Sequence, residues 1–321
     1  MKMKNSIRIA TRGSKLAIVQ TNLVINLLKK IDRSLDFQVI KVKTSGDNDT
    51  SNPLFMMDRR GIFEKEVNEY VLSGRADFAV HSIKDVPTDL TENLIIASIP
   101  KRESPNDVLI TRDKILLKDL PSGSKIGTSS LRRAVQLKNI RSDLEIIPIR
   151  GNVETRIGKV MSQDFDGIIL AEAGIKRINL KEHITQKFNI KKFLPAPGQG
   201  ALAIVTLKDN HNMINILKKI SHHDTELAIT AERSLIKQLE GGCRFPIGAI
   251  ALVDKNKKDT MTIYAKIFSA DGKKSITYSL SGNKYDPVTL GKQLGKHLLS
   301  LGAKELSLGW EKGLDDWNKR K

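Results

Sequence analysis

Only one of the 321 residues is cysteine, so no disulfide can form within the chain and a thiolate metal cluster is excluded. A single thiol fits a reducing compartment, which makes a cytoplasmic protein the expectation. Aromatic residues are also scarce, at 5%, too few to build a platform on which nucleic-acid bases stack. Acid is in short supply: 36 Asp and Glu face 54 Lys and Arg, leaving a formal charge of +18. Long apolar runs are missing as well, and nothing approaches the length that a membrane crossing needs. Met1-Lys2-Met3-Lys4-Asn5-Ser6 leads straight into an expected strand, without an apolar stretch of signal-peptide length.

The excess of positive charge asks for a polyanionic partner, nucleic acid being the obvious class. Much of the lysine, however, is dispersed among isoleucine and asparagine, as in Asn210–Lys219 and Asp254–Lys258, the pattern of a solvated surface. A small-molecule partner is therefore expected, with neither nucleic acid nor membrane. No segment reads as an exposed apolar interface, so a monomer is expected too. The balance of 40% hydrophobic and 28% charged residues is that of a globular protein, and the length allows two or three domains.

Hydrophobic periodicity predicts a strand over Ser6–Ala10, a helix from Leu16 to Ile31, a strand over Phe37–Lys43, a helix near Glu64–Ser73 and a strand over Asp77–His81. A polar stretch, Thr44–Asn52, interrupts them. The pattern recurs with strands over Ser124–Gly127, Leu144–Ile149 and Asp166–Ala171 and a helix over Leu131–Asn139. Strands alternating with helices imply a parallel, doubly wound α/β sheet. Ile9-Ala10-Thr11-Arg12-Gly13-Ser14 and Ile126-Gly127-Thr128-Ser129-Ser130 both feed a helix through small hydroxylated residues, suggesting two similar lobes that face one another across a cleft. After Leu194-Pro195-Ala196-Pro197-Gly198-Gln199-Gly200, the run Ala201–Leu207 reads as a strand returning to the first lobe. The remainder predicts a helix over Thr225–Leu239, strands over Ala249–Val253, Met261–Phe268 and Ser275–Ser281, and a helix near Thr289–Leu301. The expected division is 1–100 with 200–219 as one α/β lobe, 101–199 as the other, and 220–321 as a small α+β domain.

The lone Cys243 sits in Gly241-Gly242-Cys243-Arg244-Phe245-Pro246-Ile247-Gly248. Glycines and proline break regular structure, so this is a loop, and Arg244 favours the nucleophilic thiolate. By itself the loop leaves the thiol either incidental or chemically used.

Open α/β sheets bind ligands where strands end and helices begin, because helix N-termini present free N–H groups and a positive dipole end. Arg12 and Ser14 occupy the first such turn. Thr128, Ser129, Ser130, Arg132 and Arg133 occupy the matching one, Arg150 and Arg156 follow the strand Leu144–Ile149, and Lys84 follows Asp77–His81. Guanidinium groups hold carboxylates or phosphates bidentately, so the ligand expected carries several anionic groups. Any single arginine, and the pair Arg132-Arg133, could instead be a solvated helix face. Asp85, in Val80-His81-Ser82-Ile83-Lys84-Asp85-Val86-Pro87, is an acid among these cations. It can stabilise a developing positive charge or shuttle a proton, or serve as an ordinary salt-bridge or capping residue. His222-His223 lacks partners at ligand spacing, so no metal is expected. Ser82 beside His81 has no nucleophile-elbow context, and no phosphate-loop or dinucleotide fingerprint is present.

Taken together, Val80–Pro87, Gly127–Arg133, Arg150-Gly151-Asn152-Val153 with Arg156, Pro197–Gly200 and Glu240–Gly248 resemble the porphobilinogen deaminase (hydroxymethylbilane synthase) family along nearly the whole chain. The resemblance implies a transferase of tetrapyrrole (heme) biosynthesis, with two lobes resembling type II periplasmic binding proteins and a small C-terminal α+β domain. It implies a dipyrromethane cofactor joined through a thioether to Cys243, on which four porphobilinogens condense with loss of ammonia before hydroxymethylbilane is released. It further implies that Ser14, Lys84, Thr128, Ser130, Arg132 and Arg133 hold cofactor carboxylates, while Arg12, Arg150 and Arg156 hold incoming substrate. Asp85 would pair with pyrrole N–H groups and the departing ammonium, Phe63 would cover the site, and Gln199 would lie near the hinge and substrate. Met57-Asp58-Arg59-Arg60 stands where many members carry glycine and lysine, and Lys15 is an addition to the first turn. A non-catalytic two-lobed binder of polycarboxylates is the competing class.

Overall fold

A run of isoleucine and alanine with little room for water makes the first strand, β1 (Ile7–Arg12), whose Ile9 and Ala10 are wholly buried. Ser14 then accepts a hydrogen bond from the Ala17 amide and starts α1 (Lys15–Ile31), whose buried Ala17, Gln20, Thr21, Val24 and Leu28 recur at helical spacing. The computed structural model describes residues 6–45, 64–240 and 246–307. In chain order there follow β2 (Phe37–Val42), α2 (Lys65–Leu72), β3 (Phe78–Ser82), β4 (Leu94–Ser98), β5 (Asp107–Thr111), β6 (Lys125–Gly127), α3 (Leu131–Ile140), β7 (Glu145–Ile147), α4 (Val153–Met161), β8 (Gly167–Ala171), α5 (Glu172–Arg177) and β9 (Gln186–Lys187). The chain continues through β10 (Leu202–Leu207), α6 (His211–Lys218), α7 (His223–Glu240), β11 (Ile247–Val253), β12 (Thr260–Phe268), β13 (Ser275–Asn283), α8 (Pro287–Ser300) and α9 (Ala303–Ser307).

The chain divides into two compact units. The first comprises Met1–Glu103, Arg177–Asn179 and Gly200–Glu226, and its sheet runs β2-β1-β3-β10-β4. β1 is parallel to β2 and β3, whereas β10 is antiparallel to β3 and β4. Its core gathers Ile9, Val24, Leu28, Phe78, Val80, Ile204 and Leu217.

The second unit comprises Ser104–Lys176, Leu180–Gln199 and Leu227–Lys321. Its larger sheet, β7-β6-β8-β5-β9, repeats the pattern: β6 is parallel to β7 and β8, and β5 is antiparallel to β8 and β9. A separate antiparallel sheet, β11-β12-β13, buries Ala249, Met261, Ile263 and Ile267 against Ala231, Leu235, Leu290 and Leu294. Helices α7 and α8 cross closely because α8 carries Gly291, where a Cβ would lie 2.3 Å from the Ala231 carbonyl oxygen.

The sheets are thus mixed, correcting the parallel arrangement expected from strand–helix alternation. A hydrophobic run buries equally well in either direction, so periodicity says nothing about polarity. β4, β5 and β9 also went unanticipated: they are short, and β5 opens with a charged residue.

Candidate active site

In the second unit the chemistry converges on Asp107, the first residue of β5. Because β5 runs against β8, with Asp107 opposite Ala171, this strand start lies at the same edge as the ends of the parallel strands. The fully buried carboxylate takes Arg132 Nη1 at 2.7 Å on one oxygen and Arg133 Nε at 2.9 Å on the other. Burial pushes the Asp107 carboxyl up, but the two guanidinium charges prevail and hold it at about 2. Arg132 also donates to the Leu194 carbonyl at 2.6 Å and Arg133 to that of Ile169 at 3.1 Å. Neither arginine is a solvated helix face: they are 5% and 7% exposed.

Gln199 completes this cluster. Its Nε2 donates to Asp107 at 3.0 Å and to the Pro105 carbonyl at 2.7 Å, while its Oε1 accepts from Arg133 at 3.4 Å. The Arg132 Nε is buried with no hydrogen-bond partner among the described residues. Two cations offset by one anion leave a net positive charge out of contact with water. Arg156 enlarges it. Desolvation first, then repulsion from Arg133 and Arg150, lower its guanidinium to about 10. Such crowding of cations carries an electrostatic cost that a nearby anion would relieve.

The turns that present these groups are built locally. Ser129 Oγ donates to the Ile149 carbonyl at 2.5 Å and accepts the Ile149 amide at 3.1 Å, tying the β6 turn to the segment before Arg150. Thr128 Oγ1 accepts the Ser130 amide at 3.2 Å, and Ser130, at the start of α3, makes no capping bond. Asn152 caps α4 through the Thr155 amide at 2.8 Å, which sets Arg156 so that its Nε meets the Gly151 carbonyl at 2.8 Å. Glu232 of α7 accepts from the Gly198 amide at 2.6 Å and the Ala251 amide at 2.9 Å, fastening the loop before Gln199 to β11. Gly248 lies against Leu194, where a Cβ would come within 2.6 Å of the leucine Cβ, so β11 begins beside the Arg132 cluster. Cys243, just upstream of β11, lies outside the described residues, as do Phe63 and Met57-Asp58-Arg59-Arg60.

The first unit carries Arg12 at the end of β1, partly buried, and Ser14 in its capping role. Lys84 and Asp85 are exposed on a single 3-10 turn (Ile83–Asp85) directly after β3. That turn is pinned by the Ile83 amide on the Ala201 carbonyl at 3.1 Å and by Gln20 Nε2 donating to Ser82 Oγ at 3.0 Å.

Two residues escaped the sequence reading. Asp107 looked like an ordinary charged residue at a loop end, and only the antiparallel direction of β5 brings it to the arginines. Arg177 donates to the Gly200 carbonyl at 2.7 Å, and desolvation lowers its guanidinium to about 10 despite the opposing Glu103. It follows Ala171 at the same spacing that separates Arg156 from Arg150, a signal that was available. His222 caps α7 through Thr225 instead of serving a site. Among the described residues no cluster of three or more His, Cys, Asp or Glu could hold a metal ion, and no helix is long and apolar enough to cross a membrane.

Fold and side chains define an α/β protein with guanidinium groups gathered at its strand ends. Comparison with known proteins narrows the class. The family described as "Porphobilinogen deaminase, dipyromethane cofactor binding domain" matches residues 7–215, and "Porphobilinogen deaminase, C-terminal domain" matches residues 226–300. A probable porphobilinogen deaminase of Nitrosopumilus maritimus is 46% identical over 97% of this chain and 98% of its own length. A porphobilinogen deaminase of Alkaliphilus metalliredigens is 40% identical over 94% of each. Substrate-binding domain 2 of Lactococcus lactis GlnP is similar at a TM-score of 0.42 and 15% identity, over 68% of this chain and 89% of that one. The chain belongs to the porphobilinogen deaminase family. It is accordingly an enzyme, a transferase of tetrapyrrole synthesis with a dipyrromethane cofactor, and the non-catalytic alternative is not favoured.

Proposed function

We propose that this chain joins four porphobilinogens head to tail, with loss of ammonia at each step, on a dipyrromethane held by a thioether at Cys243, and then releases hydroxymethylbilane by hydrolysis. The observation that supports it best is Arg156, desolvated and repelled by Arg133 and Arg150, together with the buried Arg132. A dipyrromethane bears four carboxylates, and the net positive charge left around Asp107, with the unpartnered Arg132 Nε, suits such a group. Arg132 and Arg133, together with Ser14, Lys84, Thr128 and Ser130, would hold those carboxylates. When bound, the group supplies the free pyrrole carbon to which substrate is joined.

Arg12, Arg150 and Arg156 orient the incoming acetate and propionate through charge-assisted hydrogen bonds. Asp85 accepts the pyrrole N–H and steadies the ammonium as the aminomethyl C–N bond breaks. A C–C bond then forms, and the proton displaced from the pyrrole carbon leaves by way of the same carboxylate. Gln199 acts at one remove, keeping Asp107 and Arg133 in register. Phe63 covers the site. A monomer working in the cytoplasm completes the reading, consistent with the single thiol, and size-exclusion chromatography checks the monomer.

Intact-mass measurement of the purified protein tests the core of it: a two-pyrrole increment is expected, and Cys243→Ser abolishes it. Asp85→Asn keeps the increment but loses most turnover. A wild-type mass equal to the bare polypeptide, even after incubation with porphobilinogen, ends this reading.

A further inference from the structure

Behind the turn that carries Lys84 and Asp85 lies a buried polar chain that the proposed reaction does not use. Glu64, Asn68 and His81 are 5%, 1% and 6% exposed. Glu64 immediately precedes α2, and Asn68 lies one turn along the same face. The Asn68 amide donates through Nδ2 to Glu64 Oε2, and its Oδ1 meets His81 Nε2 at 2.9 Å. His81 sits in β3, paired across the sheet with Ala203, and is followed by Ser82 and the Ile83–Asp85 turn.

The direction of the first bond decides the second. An amide whose N–H₂ is committed to a carboxylate offers only its oxygen to the imidazole. His81 must then donate through Nε2, which places its proton there and leaves Nδ1 bare. We propose that Glu64 is a positioning residue for the transferase reaction: through Asn68 it selects the neutral Nε2–H tautomer of His81 and thereby fixes the turn presenting Lys84 and Asp85. The inference rests on the function proposed above for that turn.

The surrounding charges agree with it. Burial first, and then the charge of Arg12 of β1, lower His81 to about 4, so the ring is neutral at physiological pH. Burial raises Glu64 to about 7, with the Asn68 bond opposing and Glu66 adding to the rise. Among the described residues, β1, β3 and β10 pack most closely against α2. β1 contributes Arg12 and the Asp77-paired Arg8, β3 contributes His81, and β10 carries no titratable side chain.

The test uses the full chain labelled with ¹⁵N-histidine, reading the His81 ring nitrogens by NMR and kcat with porphobilinogen across pH. The wild type should show protonated Nε2 and bare Nδ1. Glu64→Ala should mix the tautomers and lower kcat about tenfold, the worth of one neutral hydrogen bond, with the Cys243 adduct still formed. Glu64→Gln, which still accepts from Asn68, should restore both tautomer and kcat while erasing any kcat inflection near pH 7. Should Glu64→Ala unfold, Asn68→Asp serves instead: a carboxylate beside His81 should draw a second proton onto the ring and lower kcat. An unchanged His81 signal, or a changed one with unchanged kcat, overturns the inference. A wild type that consumes no porphobilinogen overturns the functional reading and this role with it, whereas the first result against an active wild type overturns the Glu64 role alone.

Discussion

The two α/β sheets share one strand order and one antiparallel insertion, yet the polar groups at their strand ends are of opposite kinds. In the first, β10 begins with Leu202 opposite Ser82, and the polar groups beside the strand end are neutral pairs, Gln20 with Ser82 and Asn68 with His81, the Glu64 carboxyl joining only through Asn68. In the second, β5 begins with Asp107 opposite Ala171, and the groups are ions: one carboxylate under two guanidiniums. The backbone ladder is indifferent to which side chain sits at its edge, so equal topology leaves the electrostatics open. The neutral unit exposes its acid and lysine on a turn, and the ionic unit buries its cations.

Breaking the ionic pair should have the largest effect. Asp107→Ala leaves two buried guanidiniums without their counter-charge and should cost about 3–5 kcal/mol, read as a fall in the urea midpoint. The neutral counterpart, Gln20→Ala, should cost only about 1 kcal/mol.

Next comes Arg156. Its guanidinium is desolvated and repelled by its neighbours, so Arg156→Ala should leave stability unchanged or raised. Loss of a charge-assisted bond to substrate, about 1.5–3 kcal/mol, should nevertheless lower kcat/KM about 10- to 150-fold. A parallel loss of stability and activity would place Arg156 in the scaffold.

Acid sharpens the contrast further. Asp107 is held at about 2, below its ordinary 3.8, so its contribution is complete above about 4 and is lost as pH falls through 2. In the first unit two groups oppose each other. Glu64, raised to about 7, favours the folded state increasingly as pH falls from 7 toward 4.5. His81, lowered to about 4, favours it decreasingly as pH falls from 6.5 toward 4. Unfolding midpoints measured across pH 4.5–7 should therefore vary little in the wild type, and Glu64→Gln should uncover the decline due to His81.

The smallest difference lies in the helix starts. Ser14 caps α1, so Ser14→Ala should cost about 1 kcal/mol, while Ser130→Ala should cost close to nothing, since Ser130 makes no capping bond. Equal losses in thermal unfolding would contradict the geometry.

Much of this was legible from residues. Apolar periodicity located α1, α3, β3 and β8 to within a residue or two, and the duplication of strand, hydroxylated turn and helix pointed to paired lobes. The position of Arg12, Ser14, Thr128 and Arg150 at strand ends could be read because each follows an apolar run that gives way to a small polar turn. Asp107 could not. Its meaning depends on β5 running against β8, and no local pattern encodes strand direction. Arg132-Arg133 were ambiguous for a related reason: two adjacent helical arginines look the same whether water or a buried carboxylate faces them.

The order of amino acids alone determined which segments become helix or strand, where the chain turns, and which family it belongs to, since these rest on neighbours a few residues apart. Tertiary structure decided which charges are buried, which are paired, and which repel. Those depend on groups brought together from Asp107, Arg133 and Gln199, distant along the chain, and a charge acquires its strength from the water that folding removes around it.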